Sequence, residues 1–285
     1  MNDSDIADEA LNILGVVRNG GAALEQTLGC IDALRQRLAQ SQVIIATNDN
    51  TDGTDAVLEA FAGSRPAVRI LDLGPKMESL PDRVERITAA RNATLTALFD
   101  GPAAFPLTLV LDLDGPNAEL DPDTVLAAAR RRDVTWDALF ANQRVAYYDL
   151  YALRCAGWCE EDPWQRIHGA HKPLFFRKRW RRELLARLIY DRQYLIPPET
   201  PPIPVDSAFG GLGLYRTEAL RGLRYVARDA AGGLICEHVG LHLAMRARGA
   251  RLYIDPALLN ITQTEHLGPS SGAPLPDRLR PSANL

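Results

Sequence analysis

Apolar and polar positions alternate between two rhythms along the first 115 residues. Residues 11–17 are an apolar stretch rich in aliphatic and β-branched types, broken by Arg18-Asn19-Gly20-Gly21. Leu24, Leu28, Ile31, Leu34 and Leu38 then recur at helical spacing. Residues 42–47 read as a second buried strand, followed by the polar turn Asn48-Asp49-Asn50-Thr51-Asp52-Gly53. Thr51 or Thr54 is placed to cap a helix through Val57, Leu58 and Phe61. A third strand over 68–73, a helix over 83–98 and a fourth strand over 107–111 complete the series. The fourth strand runs into Asp112-Leu113-Asp114.

Unbroken apolar strands alternating with amphipathic helices predict an α/β fold, its parallel sheet covered on both faces. Ligands of such sheets bind beyond the carboxyl ends of the strands. The polar clusters at 18–19, 48–52 and 112–114 are therefore expected to converge on one site.

The second half is more mixed. A helix is expected over 124–132, a strand or two within 138–151, and irregular chain over 155–173. Residues 174–190 read as a strongly basic helix, 199–204 as a proline-rich loop and 207–215 as a glycine-rich stretch. A helix over 237–248, closed by Gly249, precedes a strand over 251–254. The expected organisation is one domain over 1–267, in two halves (1–115 and 116–267), and a loose tail over 268–285 rich in Pro, Ser and Gly.

Composition narrows the classes. The 285 residues are 46% hydrophobic and 24% charged, as in globular chains and unlike disordered or disulfide-dense ones. A net charge of −4 disfavours a nucleic-acid binder. No apolar run reaches the ~18–20 residues of a bilayer span. The acidic start, residues 1–10, lacks the features of a signal peptide. These readings predict a soluble cytoplasmic protein.

Asp112 and Asp114 carry the sharpest chemistry. Two carboxylates one residue apart at a strand end point the same way and can share one hard divalent cation; a strand-end turn at Asp114-Gly115 is the competing reading. Residues 16–34, the turn at 48–54, the pair Arg91-Asn92 and the segment Leu109-Val110-Leu111-Asp112-Leu113-Asp114 come in an order that resembles the GT-A glycosyltransferases, above all the family 2-like group, a resemblance that makes 1–115 the nucleotide-sugar-binding half and 116–267 the acceptor-side half. The resemblance resumes at 209–216 and 236–256, and Tyr147-Tyr148-Asp149-Leu150-Tyr151-Ala152-Leu153-Arg154 resembles bacterial capsule or lipopolysaccharide transferases and, more distantly, the fungal capsule mannosyltransferases.

The resemblance implies a GT-A fold and a glycosyltransferase, most simply a hexosyltransferase, with a UDP- or GDP-linked sugar as donor. Mn2+ or Mg2+ would be held by Asp112, Asp114 and His266. Asn19, Asp49, Asp52, Arg91, Asp112 and Gly211 would bind the nucleotide sugar, with Glu237 as general base and His238 beside it. Asp206 and Asp149 are the next candidates for the base. The chain departs from the family 2 pattern at Asn48-Asp49-Asn50, where consecutive acids are usual, and at Glu237-His238, where Glu-Asp is common. The stereochemical outcome stays open. So do two rival readings: a nucleotidyltransferase acting on a sugar phosphate, and a non-catalytic sugar- or nucleotide-binding module.

Three remaining features have weaker readings. Phe209-Gly210-Gly211-Leu212-Gly213 lacks the context of a dinucleotide fingerprint. Cys155, Cys159, His168 and His171 miss zinc-finger spacing. The run Arg177-Lys178-Arg179-Trp180-Arg181-Arg182 is either a solvated helix face or a contact with a membrane surface or lipid-linked acceptor, which would place the protein peripherally at the inner membrane face.

Overall fold

The computed structural model describes residues 10–77, 79–101, 104–261 and 264–281. Strands β1 (Ala10–Val17), β2 (Gln40–Thr47), β3 (Val68–Asp72) and β4 (Leu107–Asp112) are mutually parallel, and helices α1 (Gly21–Arg35), α2 (Thr54–Gly63) and α3 (Arg83–Phe99) connect them. Then come α4 (Pro122–Ala129), β5 (Ala138–Gln143), α5 (Pro163–Gly169) and α6 (Arg177–Leu188). The chain continues through β6 (Tyr194–Leu195), β7 (Ile203–Val205), β8 (Leu212–Arg216), α7 (Thr217–Leu220), α8 (Glu237–Ala247), β9 (Leu252–Asn260) and β10 (Ala273–Pro274).

Eight strands form one sheet in the order β3-β2-β1-β4-β8-β5-β9-β7. β8 lies antiparallel between β4 and β5, and β7 runs antiparallel along β9. The α/β class expected from the sequence is the class observed. Both faces are buried, as the unbroken apolar runs require. Ile13, Val43 and Leu109 pack with Leu24, Leu28, Leu58 and Phe61 on one face, and Leu14, Ile44 and Val110 with Leu95 and Leu98 on the other.

The differences from expectation have local causes. α2 starts at Thr54 without a threonine cap: Asp52 Oδ1 accepts from Thr54 N, and Thr54 Oγ1 accepts from Gly20 N at 2.9 Å. α5 occupies part of the stretch expected to be irregular, because Asp162 caps it through Trp164 N and Gln165 N with Pro163 in its first turn. The proline-rich loop contributes edge strand β7, whose Pro204 is exposed, where a missing N–H is tolerated. β9 runs six residues past its expected end; a register shift against β5 between Phe140 and Asn142 accommodates Pro256. The basic helix begins at Arg177, leaving residues 174–176 outside it.

The segment expected to be a loose tail is packed as far as residue 281. β10 pairs with β6, Leu275 N donates to Leu195 O at 3.1 Å, and Leu275 and Leu279 are buried in the core. Burial of these two leucines outweighs the local Pro/Gly signal. The acidic stretch 1–9 and residues 282–285 lie outside the described residues.

Candidate functional site

The carboxyl ends of β1 and β4 open into a pocket of about 670 Å³. Asp112, the last residue of β4, and Asp114, in the bend that follows, both line it, while Leu113 between them is fully buried in the core. The backbone beneath is fixed. Asp112 N donates to Gly211 O at 2.9 Å, and Asn117 Nδ2 donates to the carbonyls of Asp112 and Gly211. Gly211 has φ +87°, and a Cβ there would meet Pro116 at 2.7 Å. Glycine is thus required where β8 crosses the pocket floor.

Arg91, from α3, is the electrostatic hinge of the site. Its Nη2 donates to Asp112 Oδ1 at 2.6 Å and its Nε to Glu237 Oε1 at 2.9 Å. The guanidinium is buried, stands 5.0 Å from the Phe209 ring centroid, and leaves Nη1 without a partner. Burial raises the pKa of Asp112, Arg91 opposes that shift, and the neighbouring Asp114 charge adds to it.

The first two polar clusters interlock beside the floor. Asn19 N donates to Asn50 Oδ1 at 2.7 Å, and Thr51 N donates to Asn19 Oδ1 at 2.8 Å. Asn19 and Asp49 hold positive φ, a conformation that Asn and Asp tolerate. Arg18 and Asn19 line the pocket; Asp49 and Asp52 do not. Asp49 and Asp52, expected over the nucleotide, are both engaged within the turn. Asp52 accepts from Thr54 N and Gly21 N; the Thr54 side chain and then these N–H groups lower its pKa, and Asp49 Oδ2 accepts from Asn48 Nδ2 at 2.8 Å. Both brace the turn that presents Asn19. Arg83 and Arg86, which no motif singles out, add cations to the pocket lining alongside Arg18 and Arg91.

Glu237 is the first residue of α8, where the helix dipole favours an anion, and it lines the pocket with His238. His238 stacks on Phe209 with ring centroids 3.6 Å apart, and neither ring nitrogen has a hydrogen-bond partner. Burial, then the Arg91 and His242 charges, hold its pKa well below the ordinary value, so the ring is neutral. One turn on, His242 bridges Ser207 Oγ at 3.0 Å and Tyr215 Oη at 2.9 Å. Ser207 Oγ donates to Ala152 O, so the self-consistent tautomer has His242 Nδ1–H donating to Ser207 and Nε2 accepting from Tyr215.

Of the two reserve bases, Asp206 pairs with Arg246 away from the pocket. Asp149 lines it. Its oxygens accept from Gly210 N at 2.9 Å and Ala152 N at 3.2 Å, and burial raises its pKa. Tyr148, within the segment 147–154 of the resemblance, and Glu265, which carries no periodic or motif signal, also line the pocket.

His266 faces the same pocket, its ring 5.3 Å from that of Tyr148. It does not close a cage with the aspartates: among the described residues no three His, Cys, Asp or Glu come together as a metal-binding group. The donors that do converge, two carboxylates at a strand end, are hard oxygens suited to Mg2+ or Mn2+ completed by water and phosphate. Cys155 and Cys159 are buried thiols pushed up to about 12 and about 11 by desolvation, and their Sγ atoms contact backbone carbonyls. Among the described residues no helix is long and apolar enough to cross a membrane.

No family model matches the sequence. Among solved structures, the chain is similar to a mannosyltransferase from Pyrobaculum calidifontis in complex with GDP-Man and Mn2+, at 16% identity over 88% of this chain and 56% of that one, with a TM-score of 0.46. It is similar to TarS 1-349 of S. aureus at 13% identity over 90% of this chain and 61% of that one, TM-score 0.49. It is similar to glucosyl-3-phosphoglycerate synthase from Mycobacterium tuberculosis, in complex with Mn2+, UDP and phosphoglyceric acid, at 14% identity over 90% of this chain and 69% of that one, TM-score 0.42. The chain thus spans 56% and 61% of the lengths of the first two.

Proposed function

We propose that the protein is a metal-dependent GT-A glycosyltransferase that moves a sugar, most simply a hexose, from a UDP- or GDP-linked donor to a surface-glycan or lipid-linked acceptor. The observation that carries this reading is the Arg91 fork between Asp112 and Glu237 on the floor of the pocket. It sets a carboxylate pair suited to a diphosphate-bound cation beside a carboxylate suited to a hydroxyl acceptor.

Asp112 and Asp114 are the residues that would hold Mn2+ or Mg2+, with His266 lining the same pocket. A cation bound there neutralises charge that develops on the departing diphosphate. Arg18, Arg83 and Arg86 set a positive field for the same diphosphate. Asn19, fixed by the turn that Asp49 and Asp52 brace, meets the nucleoside, and Gly211 lets the floor approach the sugar. Glu237 takes the proton of the acceptor hydroxyl as its oxygen attacks the anomeric carbon. Only one of its oxygens is engaged by Arg91, and neutral His238 packs beside it. The acceptor is reached at the inner face of a membrane, contacted through residues 177–182.

The test is a thermal-shift screen of nucleoside diphosphates and nucleotide sugars with and without Mn2+, since a ligand of the folded state raises the melting temperature. A shift with a UDP or GDP species that requires the cation, followed by transfer to an acceptor, supports the reading. A shift with nucleoside triphosphate and sugar phosphate alone would move the protein to the nucleotidyltransferases.

A further inference from the structure

Residues 174–182 carry two features that folding does not ask for. Leu174, Phe175 and Phe176 are consecutive, apolar and 82%, 76% and 83% exposed. Phe176 also sits at φ +56°, a sterically costly region for a bulky residue. Immediately after it, α6 opens with Arg177, Lys178 and Arg179, has no acidic residue in its first turn and no side-chain cap. Cations at this end oppose the helix dipole.

The rest of α6 is ordinary. Leu184 and Leu188 are buried, and Trp180 packs on the core on the same stripe. The helix is therefore fastened to the body with its other face outward. The exposed residues of the helix are Arg177, Lys178, Arg179, Arg181, Arg182 and Arg187 against Glu183 alone. Arg179 pairs with Glu183; Lys178, Arg181, Arg182 and Arg187 have no ion-pair partner among the described residues. An apolar tip beside a dense field of unpaired cations is complementary to one kind of surface: acyl chains beneath anionic headgroups. The same cations would oppose stacking of this face on a second copy of itself.

We propose that Leu174-Phe175-Phe176 and the basic face of α6 form a docking surface for an anionic bilayer, with the three apolar side chains entering the acyl boundary and the cations resting on headgroup phosphates. The surface is tied to the pocket at both ends. Trp164, ten residues before Leu174, lines the pocket, and so do Ile189 and Tyr190, directly after α6. This deepens the reading of residues 177–182 as a membrane contact and rests on it, but not on sugar transfer.

The test is flotation of the full chain with acceptor-free vesicles of phosphatidylcholine, with or without about 30% phosphatidylglycerol. Flotation is expected with the anionic vesicles only, and is expected to vanish in about 0.5 M salt, where screening is strongest. Phe175→Ser/Phe176→Asn should weaken it at least about 10-fold; both side chains are exposed and Asn tolerates positive φ, so the fold is kept. Lys178→Gln/Arg181→Gln/Arg182→Gln should weaken it on the order of 100-fold, about fivefold per cation near the surface. A parent chain that does not float, or variants that float like the parent, overturns the proposal. A parent that is dimeric until Phe175 and Phe176 are changed, with no lipid binding, overturns it in favour of self-association. Nucleotide-dependent melting shifts are read on the same variants and should be those of the parent, which separates failure of this surface from failure of the glycosyltransferase reading.

Discussion

Arg91 Nε donates to Glu237 Oε1 at 2.9 Å across 146 residues of sequence, joining the middle of α3 to the first residue of α8. The bond is buried, with only 4% and 8% of the two side chains exposed. Removing one partner of such a pair strands the other's charge and costs about 3–5 kcal/mol. Arg91→Met should therefore lower unfolding free energy by about 3 kcal/mol in urea titrations. In a Glu237→Gln background the same change should cost at least about 1 kcal/mol less, by the logic of a double-mutant cycle. Equal costs in both backgrounds would show the pair to be energetically uncoupled.

Glu237→Gln keeps the hydrogen bond from Arg91 but cannot accept a proton. Donor affinity measured by calorimetry should stay near the parent's, because Asp112, Asn19 and the arginines are untouched. Single-turnover transfer should fall by roughly 10²–10⁴. If Asp149→Asn shows that drop and Glu237→Gln does not, the base is Asp149.

Asp114 lines the pocket, and its side chain is exposed. Asp114→Asn should leave the melting temperature of the ligand-free protein within about 1–2 °C of the parent, as expected for an exposed change. Cation-dependent nucleotide binding and turnover should both be lost. Unchanged cation dependence in calorimetry would remove Asp114 from the metal site.

His242 gives the stability a pH dependence. Burial and the Arg91 charge hold its pKa down to about 3, while an unfolded histidine titrates near ~6.5. Between those values the unfolded chain binds a proton that the folded chain does not. The stabilisation is fully present above ~6.5 and is lost as pH falls toward 3, at about 1.4 kcal/mol per pH unit for one such group. His238, lowered by the same kinds of cause, adds a second contribution of the same sign. Urea titrations at pH 7, 6 and 5 should show the slope, and His242→Gln should reduce it by about 1.4 kcal/mol per unit. Parallel slopes in parent and variant would contradict the assignment.

Legibility in the sequence followed locality. The first four strands and three helices are readable because each carries its own period, and Asp112 and Asp114 are readable because they stand directly at the end of the fourth apolar run. Arg91 in its helix and Glu237 at a helix start were locatable, but not their bond, which depends on how α3 and α8 pack. Asp49 and Asp52 occupy the expected loop, yet nothing local separates a carboxylate that meets a ligand from one that accepts turn N–H groups. Asp149, Tyr148 and Glu265 reach the pocket on irregular chain, where no period exists to read. Leu174-Phe175-Phe176 mimics the apolar start of a helix, and only three-dimensional exposure distinguishes it. The tail misled because Pro, Ser and Gly outnumber the two leucines that fix it.

The strap formed by the last described residues has a consequence for the order in which the protein matures. Gly272 N donates to Gln193 O at 2.7 Å, Gln193 Nε2 donates to His266 O at 3.0 Å, and β10 lies along β6. Gln193, Tyr190 and His266 are all wall residues of the pocket. The first strands can pair early in synthesis, but this wall is closed only after residues near 280 have left the ribosome. A chain still being made therefore holds Asp112 and its strands before the strap exists, and this part of the site is completed only once the strap has emerged and packed.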